Sequence, residues 1–123
     1  MQIVWIGVAG AFGAMARYGL TTLVHRACEG ACIYGTMSAN ILGCFLFGLI
    51  FTLTERGVAI SPETRVWILT GFMGAFTTFS TFIFESSRLM DERQWAMAIL
   101  NIVVQIVIGL GFFVMGGAVA RVV

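Results

Sequence analysis

Residues 71–85, GFMGAFTTFSTFIFE, place four hydroxyl side chains and a carboxylate inside an otherwise apolar stretch. If these residues are helical, Thr77, Thr81 and Glu85 recur at intervals of four and share one face. Ser80 lies beside that row. Because hydroxyl groups both donate and accept hydrogen bonds, the row can stabilise a small cation or a small anion. The segment therefore predicts a polar track for a small ion that ends at Glu85.

Two phenylalanines, Phe79 and Phe82, are spaced three apart and border this track. The face of an aromatic ring is negative and its edge is positive. Ring edges beside hydroxyl and amide donors can hold a small anion weakly enough to release it, as conduction requires. The alternative is that both rings simply face lipid. On the first interpretation, the rings favour an anion over a cation.

The same segment predicts an interrupted helix. Gly71 and Gly74 lower helix propensity, and Thr77 and Thr78 are consecutive β-branched residues. An interruption inside a membrane exposes backbone carbonyl and amide groups. These are tolerated only where protein or a water-filled path satisfies them. The break is thus expected to line a path or a binding site.

A second polar position is Asn40, within IYGTMSANILGCFLFG. Thr36 lies one turn earlier on the same face, beside a stripe of small residues, Gly35, Ala39 and Gly43, suited to close helix packing. Asn40 brings two donors and an acceptor that lipid cannot satisfy. It either faces the ion path or forms an interhelical hydrogen bond, which contributes about 0.6 kcal/mol on average.

Two further sets of polar residues occur within apolar runs. Arg17 follows a long apolar run in GAFGAMARYG, and its side chain either snorkels to the interface or faces a wet vestibule. In both cases its positive charge attracts anions. Near the C-terminus, Asn101, Gln105 and Gly109 are spaced by four and give the track a polar partner.

The composition shows where these residues must lie. Of 123 residues, 59% are hydrophobic and 11% are charged, with a mean hydropathy of +0.98. Soluble domains are about 25% charged, and one of this size buries only about two-thirds of its unfolded surface. We therefore predict an all-α integral membrane protein with a single domain over residues 1–123. Four apolar runs are each long enough to cross a bilayer: residues 3–24, 33–53, 66–84 and 95–120.

The residue inventory argues against several functions. With one histidine, His25, and no lysine among its basic residues, the chain has little equipment for acid–base or nucleophilic catalysis, so we predict no enzyme activity. The net charge of +1 argues against nucleic-acid binding. Cys28, Cys32 and Cys44 form a poor metal motif with His25, so we expect packing and loop thiols.

Orientation in the membrane depends on the arginines of the two sides. One side holds Arg56, Arg65 and Arg121, and the other holds Arg26, Arg88 and Arg93, with Arg17 as a seventh residue that can reach the second side. This balance predicts insertion in both orientations. Four helices leave little room for a water-lined path, which favours an antiparallel dimer. A signal-peptide interpretation of the first run, from Ala14-Met15-Ala16, is disfavoured because no positive residue precedes it.

Three segments together resemble the Fluc (CrcB) family of fluoride ion channels: GAFGAMARYG at 10–19, GTMSANILG at 35–43 and GFMGAFTTFSTF at 71–82. The third is the most specific, and the resemblance extends over nearly the whole chain. It implies an antiparallel, dual-topology homodimer in the bacterial inner membrane. Such a dimer has two pathways that export fluoride passively, and a central structural Na⁺.

By position in these motifs, the resemblance assigns roles to individual residues. It implies that the carbonyl groups of Gly74 and Thr77 hold the Na⁺. The implied fluoride pathway comprises Arg17, Asn40, Phe79, Ser80, Thr81, Phe82 and Glu85.

Three positions depart from the family pattern. Ala75 replaces a glycine, Gln105 stands where relatives have serine or histidine, and Asn101 replaces an aromatic residue. A rival interpretation is a small dual-topology multidrug transporter that exchanges protons. That chemistry needs a carboxylate in the first span, where this chain has Arg17 instead.

Overall fold

The computed structural model describes residues 1–28, 32–58 and 60–123, and this part of the chain is helical, with no strand. Its helices are α1 (Gln2–Ala27), α2 (Cys32–Glu55), α3 (Pro62–Val66), a π-helical segment (Trp67–Met73), α4 (Gly74–Phe76), α5 (Phe79–Asp91) and α6 (Trp95–Val122). Four stretches are long and apolar enough to cross a membrane, as predicted: Gln2–Ala27, Ile33–Glu55, Pro62–Asp91 and Trp95–Val122.

The third span begins at a capped end. Ser61 Oγ accepts a hydrogen bond from Thr64 N at 3.2 Å, and Pro62 occupies the first helical position, where its missing N–H costs nothing. The span then widens into the π-helical segment, which the sequence did not predict. Gly71 lies in this segment against α1, where a Cβ would be 2.8 Å from the Ile6 carbonyl oxygen. The role of Gly71 is therefore close packing rather than helix breaking.

The interruption of the third span lies at Thr77 and Thr78. Both residues have extended backbone, with ψ of 159° and 110°. Thr78 then caps α5, because its Oγ1 accepts a hydrogen bond from Thr81 N at 3.2 Å. The bend at this point is modest. The predicted interruption is thus found at the paired threonines, three residues after Gly74.

Small residues bring α2 and α6 into close contact along their length. A Cβ at Gly48 would collide with the Phe113 carbonyl oxygen, and one at Gly116 with that of Phe45. Beside them, a Cβ at Gly109 would lie 3.4 Å from Cys44 Sγ. Close approach of this kind gives van der Waals attraction without relying on hydrophobic exclusion from water. Cys44 is a packing thiol, as predicted.

The small-residue stripe on α2 packs as expected, but against two different elements. A Cβ at Gly35 would lie 3.2 Å from Thr21 on α1. Further along the stripe, Ala39 is completely buried. A Cβ at Gly43 would collide with the methyl group of Thr77. The stripe thus presses α2 against both α1 and the interruption.

Contacts near the ends of the spans show that successive spans run in opposite directions. The rings of Trp5 and Trp67 stack with centroids 5.3 Å apart. Arg56 Nη1 donates to the carbonyl oxygen of Ala120 at 2.8 Å, which satisfies the C-terminal end of α6. The start of α1, the end of α2 and the end of α6 therefore lie at one end of the bundle. This is the arrangement assumed in the arginine count.

Candidate functional site

A vestibule of about 540 Å³ opens between α1, α2 and α5. Its lining includes Arg17, His25, Thr36, Thr78, Thr81 and Glu85. The structure thus brings together a cation, several hydroxyl groups and a carboxylate from three separate segments. Of the two alternatives for Arg17, its place in this lining favours the wet vestibule.

Glu85 lies among the hydroxyl groups of the vestibule. Thr36 Oγ1 donates to its Oε1 at 2.6 Å, while Oε2 is buried and has no hydrogen-bond partner among the described residues. Arg17 lines the same cavity, yet neither it nor Glu85 belongs to an ion pair within the described part of the chain. The positive charge of Arg17 therefore remains available to an anion that enters the vestibule.

Asn40 binds the interruption of the third span. Its Oδ1 accepts from Thr78 N at 2.8 Å, and its Nδ2 donates to the Thr78 carbonyl oxygen at 3.1 Å. The second Nδ2 hydrogen goes to Gln105 Oε1 at 2.7 Å. Asn40 therefore supplies the hydrogen bonds that the Thr78 peptide groups lose by leaving the helix. It is an interhelical tie, and it also lines a cavity beside Phe79.

The predicted row of Thr77, Thr81 and Glu85 is wrong at its first residue. Thr77 precedes the resumed helix, and its Oγ1 donates back to the Met73 carbonyl oxygen at 3.0 Å. Two extended residues reset the helical phase, so spacing by four does not carry across them. Thr78 takes the place of Thr77, because its Oγ1 donates to Thr81 Oγ1 at 2.9 Å and it lines the vestibule.

Ser80, predicted to lie in the track, is exposed. Its hydroxyl oxygen lies 3.5 Å from Thr78 Oγ1, at the edge of the row. It is not among the residues that line the vestibule. The row that faces the vestibule is therefore Thr78, Thr81 and Glu85, and Thr78 is the member that sequence reasoning missed.

A second cavity, of about 280 Å³, lies on the other side of the interruption. Thr78 lines both cavities, so it forms part of the wall between them. Phe79 lines the second cavity and is 74% exposed, whereas Phe82 is 5% exposed. Their ring centroids are 5.6 Å apart and the rings are tilted by 52°. Phe82 is therefore buried and does not face lipid, whereas Phe79 is exposed at the edge of the second cavity.

The interruption also leaves carbonyl groups without their helical partners, among them those of Gly74 and Thr77. The N–H of Thr78, four residues after Gly74, donates to Asn40. The N–H of Thr81, four residues after Thr77, donates to Thr78 Oγ1. The carbonyl oxygens of Gly74 and Thr77 are thus released from the helix. Oxygen donors of this type suit a hard cation such as Na⁺, so these residues fit the ion that the resemblance implies.

The predicted polar partner on α6 is buried. Asn101 is 1% exposed and Gln105 is 8% exposed. Gln105 Nε2 donates to Asn101 Oδ1 at 2.9 Å, and Asn101 Nδ2 donates to Ser86 Oγ at 3.0 Å. The spacing by four therefore identified two residues that contact each other. Ser86 was missed, because it does not share the face of Thr81 and Glu85.

The weak His–Cys motif gains no support. Among the described residues, no group of three His, Cys, Asp or Glu side chains could hold a metal ion. Cys28 is exposed, and the side chain of Cys32 lies outside the described residues. His25 lines the vestibule instead.

A sequence model of the family described as "CrcB-like protein, Camphor Resistance (CrcB)" matches residues 4–117. The chain belongs to the CrcB family. The resemblance seen in the three motifs is thereby confirmed. The match includes every residue of both cavities and of the interruption, so the site described above is a feature of a CrcB protein.

Individual relatives of this CrcB chain are similar over nearly their full length. A fluoride-specific ion channel FluC from Nitratidesulfovibrio vulgaris (strain Miyazaki F) is 47% identical over 99% of this chain and 98% of the relative. Proteins of the same name from Maridesulfovibrio salexigens and Nitrosococcus oceani are 43% and 42% identical over 99% of this chain. The matched regions span 97% of the Maridesulfovibrio protein and 98% of the Nitrosococcus protein.

Proposed function

We propose that this chain is a fluoride-selective ion channel of the cell inner membrane, through which fluoride leaves the cell passively. The observation that carries the proposal is the row Thr78, Thr81 and Glu85 behind Arg17, in a chain whose relatives are named fluoride-specific ion channels. The family consists of ion channels rather than enzymes. The vestibule and the hydroxyl row supply what an anion needs when it loses its hydration shell.

The proposed path starts in the vestibule. Arg17 raises the local concentration of anions. The hydroxyl group of Thr81, which accepts from Thr78 and keeps its own hydrogen, donates to fluoride and replaces part of the water around it. Beyond the wall formed by Thr78, the edges of Phe79 and Phe82 then contact the ion. Rings bind an anion weakly, so the ion can leave again.

Asn40, Ser80 and Glu85 complete the proposed pathway. Asn40 keeps Thr78 in the wall between the two cavities, through its two hydrogen bonds to that residue. Ser80 adds a hydroxyl group at the exposed edge of the row. Glu85 Oε1 accepts the hydrogen bond of Thr36 and so fixes the orientation of that hydroxyl group in the wall of the vestibule.

The functional unit is an antiparallel homodimer with two pathways. Phe79 is 74% exposed beside the second cavity, so an additional surface is needed to enclose the path there. On α1 the single buried residue is Gly13, which leaves the rest of this helix for lipid or for a second copy. The balanced arginines support insertion in both orientations.

Dual topology can be tested with a variant in which Cys28 is the sole cysteine. Cys28 is exposed next to the end of α1, so a thiol reagent that does not cross membranes can reach it from one side. We expect about half of the protein to react in sealed cell-membrane vesicles, in either vesicle orientation. Complete reaction in one vesicle orientation and none in the other would exclude dual topology.

A structural Na⁺ is the proposed cofactor. The carbonyl groups of Gly74 and Thr77, freed from helical bonding, are the residues that would hold it, and Gly74 is exposed for contact with a second copy. The ion would stabilise the dimer by offsetting the negative ends of the released carbonyl dipoles. We expect removal of Na⁺ during purification to lower fluoride flux and the dimer's unfolding temperature. Equal values with and without Na⁺ would argue against the ion.

Fluoride efflux from liposomes containing the purified protein tests the main proposal, with chloride as the comparison. Fast efflux of fluoride but not chloride, without a proton gradient, is the expected result. Efflux that requires an opposing proton gradient would favour the multidrug-transporter class. No fluoride efflux under any gradient would exclude the channel.

A further inference from the structure

A continuous chain of side-chain hydrogen bonds runs through the centre of the bundle. Asn40 Nδ2 donates to Gln105 Oε1 at 2.7 Å, and Gln105 Nε2 donates to Asn101 Oδ1 at 2.9 Å. Asn101 Nδ2 then donates to Ser86 Oγ at 3.0 Å, and Ser86 Oγ donates to the Phe82 carbonyl oxygen at 2.8 Å. We call this chain the amide relay.

The two ends of the amide relay fix its direction. At one end, Asn40 Oδ1 accepts from the backbone N–H of Thr78, a group that can only donate. Asn40 must therefore present its NH₂ group to Gln105, and each following amide is oriented in turn. At the other end, the Phe82 carbonyl can only accept. Each bond therefore has one compatible orientation, and a change at one amide is felt by the next.

The two ends of the amide relay contact the backbone at either end of the first turn of α5. Thr78 and Phe82 stand at the beginning and end of the first turn of α5, which carries Phe79 between them. The relay thus ties this turn to α2 through Asn40, and to α6 through the hydrogen bond from Asn101 to Ser86. Both phenylalanine rings lie on the segment that is held in this way.

The relay residues Ser86 on α5 and Asn101 and Gln105 on α6 do not belong to the ion path itself. Asn101, Ser86 and Gln105 are 1%, 3% and 8% exposed. None of them lines the vestibule or the second cavity. They can therefore influence an ion only through the groups that they orient. Buried amides of this kind are otherwise unfavourable in a membrane helix, which calls for a physical reason for their presence.

We propose that Gln105 and Asn101 are positioning residues, which set the orientation of Asn40 and the placement of the Phe79–Phe82 ring pair through the amide relay. This inference rests on the proposed function, because the rings matter only if an ion passes them. Neither residue belongs to the fluoride pathway that the resemblance implies, so the inference rests on the contacts of the amide relay alone.

The test is a double-mutant cycle between Gln105→Met and Asn40→Ser, with fluoride efflux and unfolding temperature as readouts. Gln105→Met keeps the side-chain length but removes both amide bonds, and we expect about a tenfold fall in flux, equivalent to about 1.4 kcal/mol. Added to Asn40→Ser, the same change should have little further effect on either readout, since the relay is already cut. Ile106→Met places the same side chain at an exposed position of α6 and should leave both readouts unchanged.

Flux and unfolding temperature separate the possible failures. If wild-type protein conducts fluoride and the two substitutions act independently, Gln105 has only a packing role and the inference is overturned. If the wild type does not conduct, the proposed function is lost, while coupling in the unfolding temperature still decides whether the relay exists. Should Gln105→Met fail to assemble, Asn101→Leu cuts the relay further from Asn40. It should reduce flux in the same coupled manner, and wild-type flux in that variant would refute the proposal.

Discussion

Replacing Arg17 by Gln should lower fluoride flux by an amount that the size of the vestibule sets. A sphere of 540 Å³ has a radius of about 5 Å, so an anion in the vestibule lies roughly 5–10 Å from a charge in its wall. In water-like surroundings, two unit charges at these distances attract by about 0.4–0.8 kcal/mol. Because about 1.4 kcal/mol is a factor of ten, flux at subsaturating fluoride should fall two- to fourfold.

Ionic strength distinguishes this electrostatic role from a packing role. The Debye length falls from about 30 Å at 0.01 M to about 3 Å at 1 M, so salt should remove the attraction almost completely. The assay is initial fluoride efflux from liposomes over this range of an inert salt. Wild-type flux should fall towards that of Arg17→Gln as salt increases, and the variant's own flux should change little.

A charge on the same helix provides the control for Arg17. Arg26 is exposed and does not line the vestibule, so Arg26→Gln should retain the salt dependence of the wild type. The reasoning is refuted if Arg17→Gln keeps the full salt dependence, or if both variants lose it equally. The first outcome would mean that Arg17 does not act on the ion through its charge. The second would mean that the overall charge of the protein, rather than the vestibule, attracts fluoride.

Two further substitutions test the rings and the packing of the interruption. Phe82→Ile should abolish fluoride efflux while the proposed dimer still forms in size-exclusion chromatography, because isoleucine fills apolar space but has no ring edge. Normal efflux would exclude the proposed ring contact. Gly43→Val should lower both flux and unfolding temperature, since even a Cβ there meets the methyl group of Thr77, whose hydroxyl is bonded to the Met73 carbonyl. The cost of such overpacking is about 1–3 kcal/mol. Gly7→Val, with nothing within 4 Å of its Cβ, is the matched control and should unfold at the wild-type temperature.

The four spans could be predicted because apolar length alone determines them. Charged and turn-forming residues separate the apolar runs, although the third helical span begins at Pro62, before the predicted run of 66–84, because Ser61 and Pro62 start the helix outside the apolar stretch. Thr81 and Glu85 could be grouped from their spacing, whereas Arg17 was recognisable only as a polar residue within an apolar run and joined the site through the resemblance. Their place in a common vestibule follows from the cost of exposing such groups to lipid.

The contacts of the break could not be predicted from local sequence. The row of Thr77, Thr81 and Glu85 assumed one continuous helical phase, whereas the structure changes phase at Thr78. The π-helical segment was also missed, since widening by one residue per turn has no marker in the hydrophobic pattern. Gly71 was interpreted as a helix breaker. Its role in the structure is to let the third span pack closely against α1, and this depends on tertiary contacts.

The position of the interruption follows from Asn40 more than from the propensities of the segment itself. A threonine costs at most about 0.7 kcal/mol in a helix relative to alanine, which is too little to break a helix in a medium where every unpaired peptide group costs several times more. Asn40 reverses this balance by bonding both the N–H and the carbonyl of Thr78. The same bonds release the carbonyl of Gly74 on one side and aim the Thr78 hydroxyl into the vestibule on the other. Site and break therefore have one cause, a side chain from a different helix.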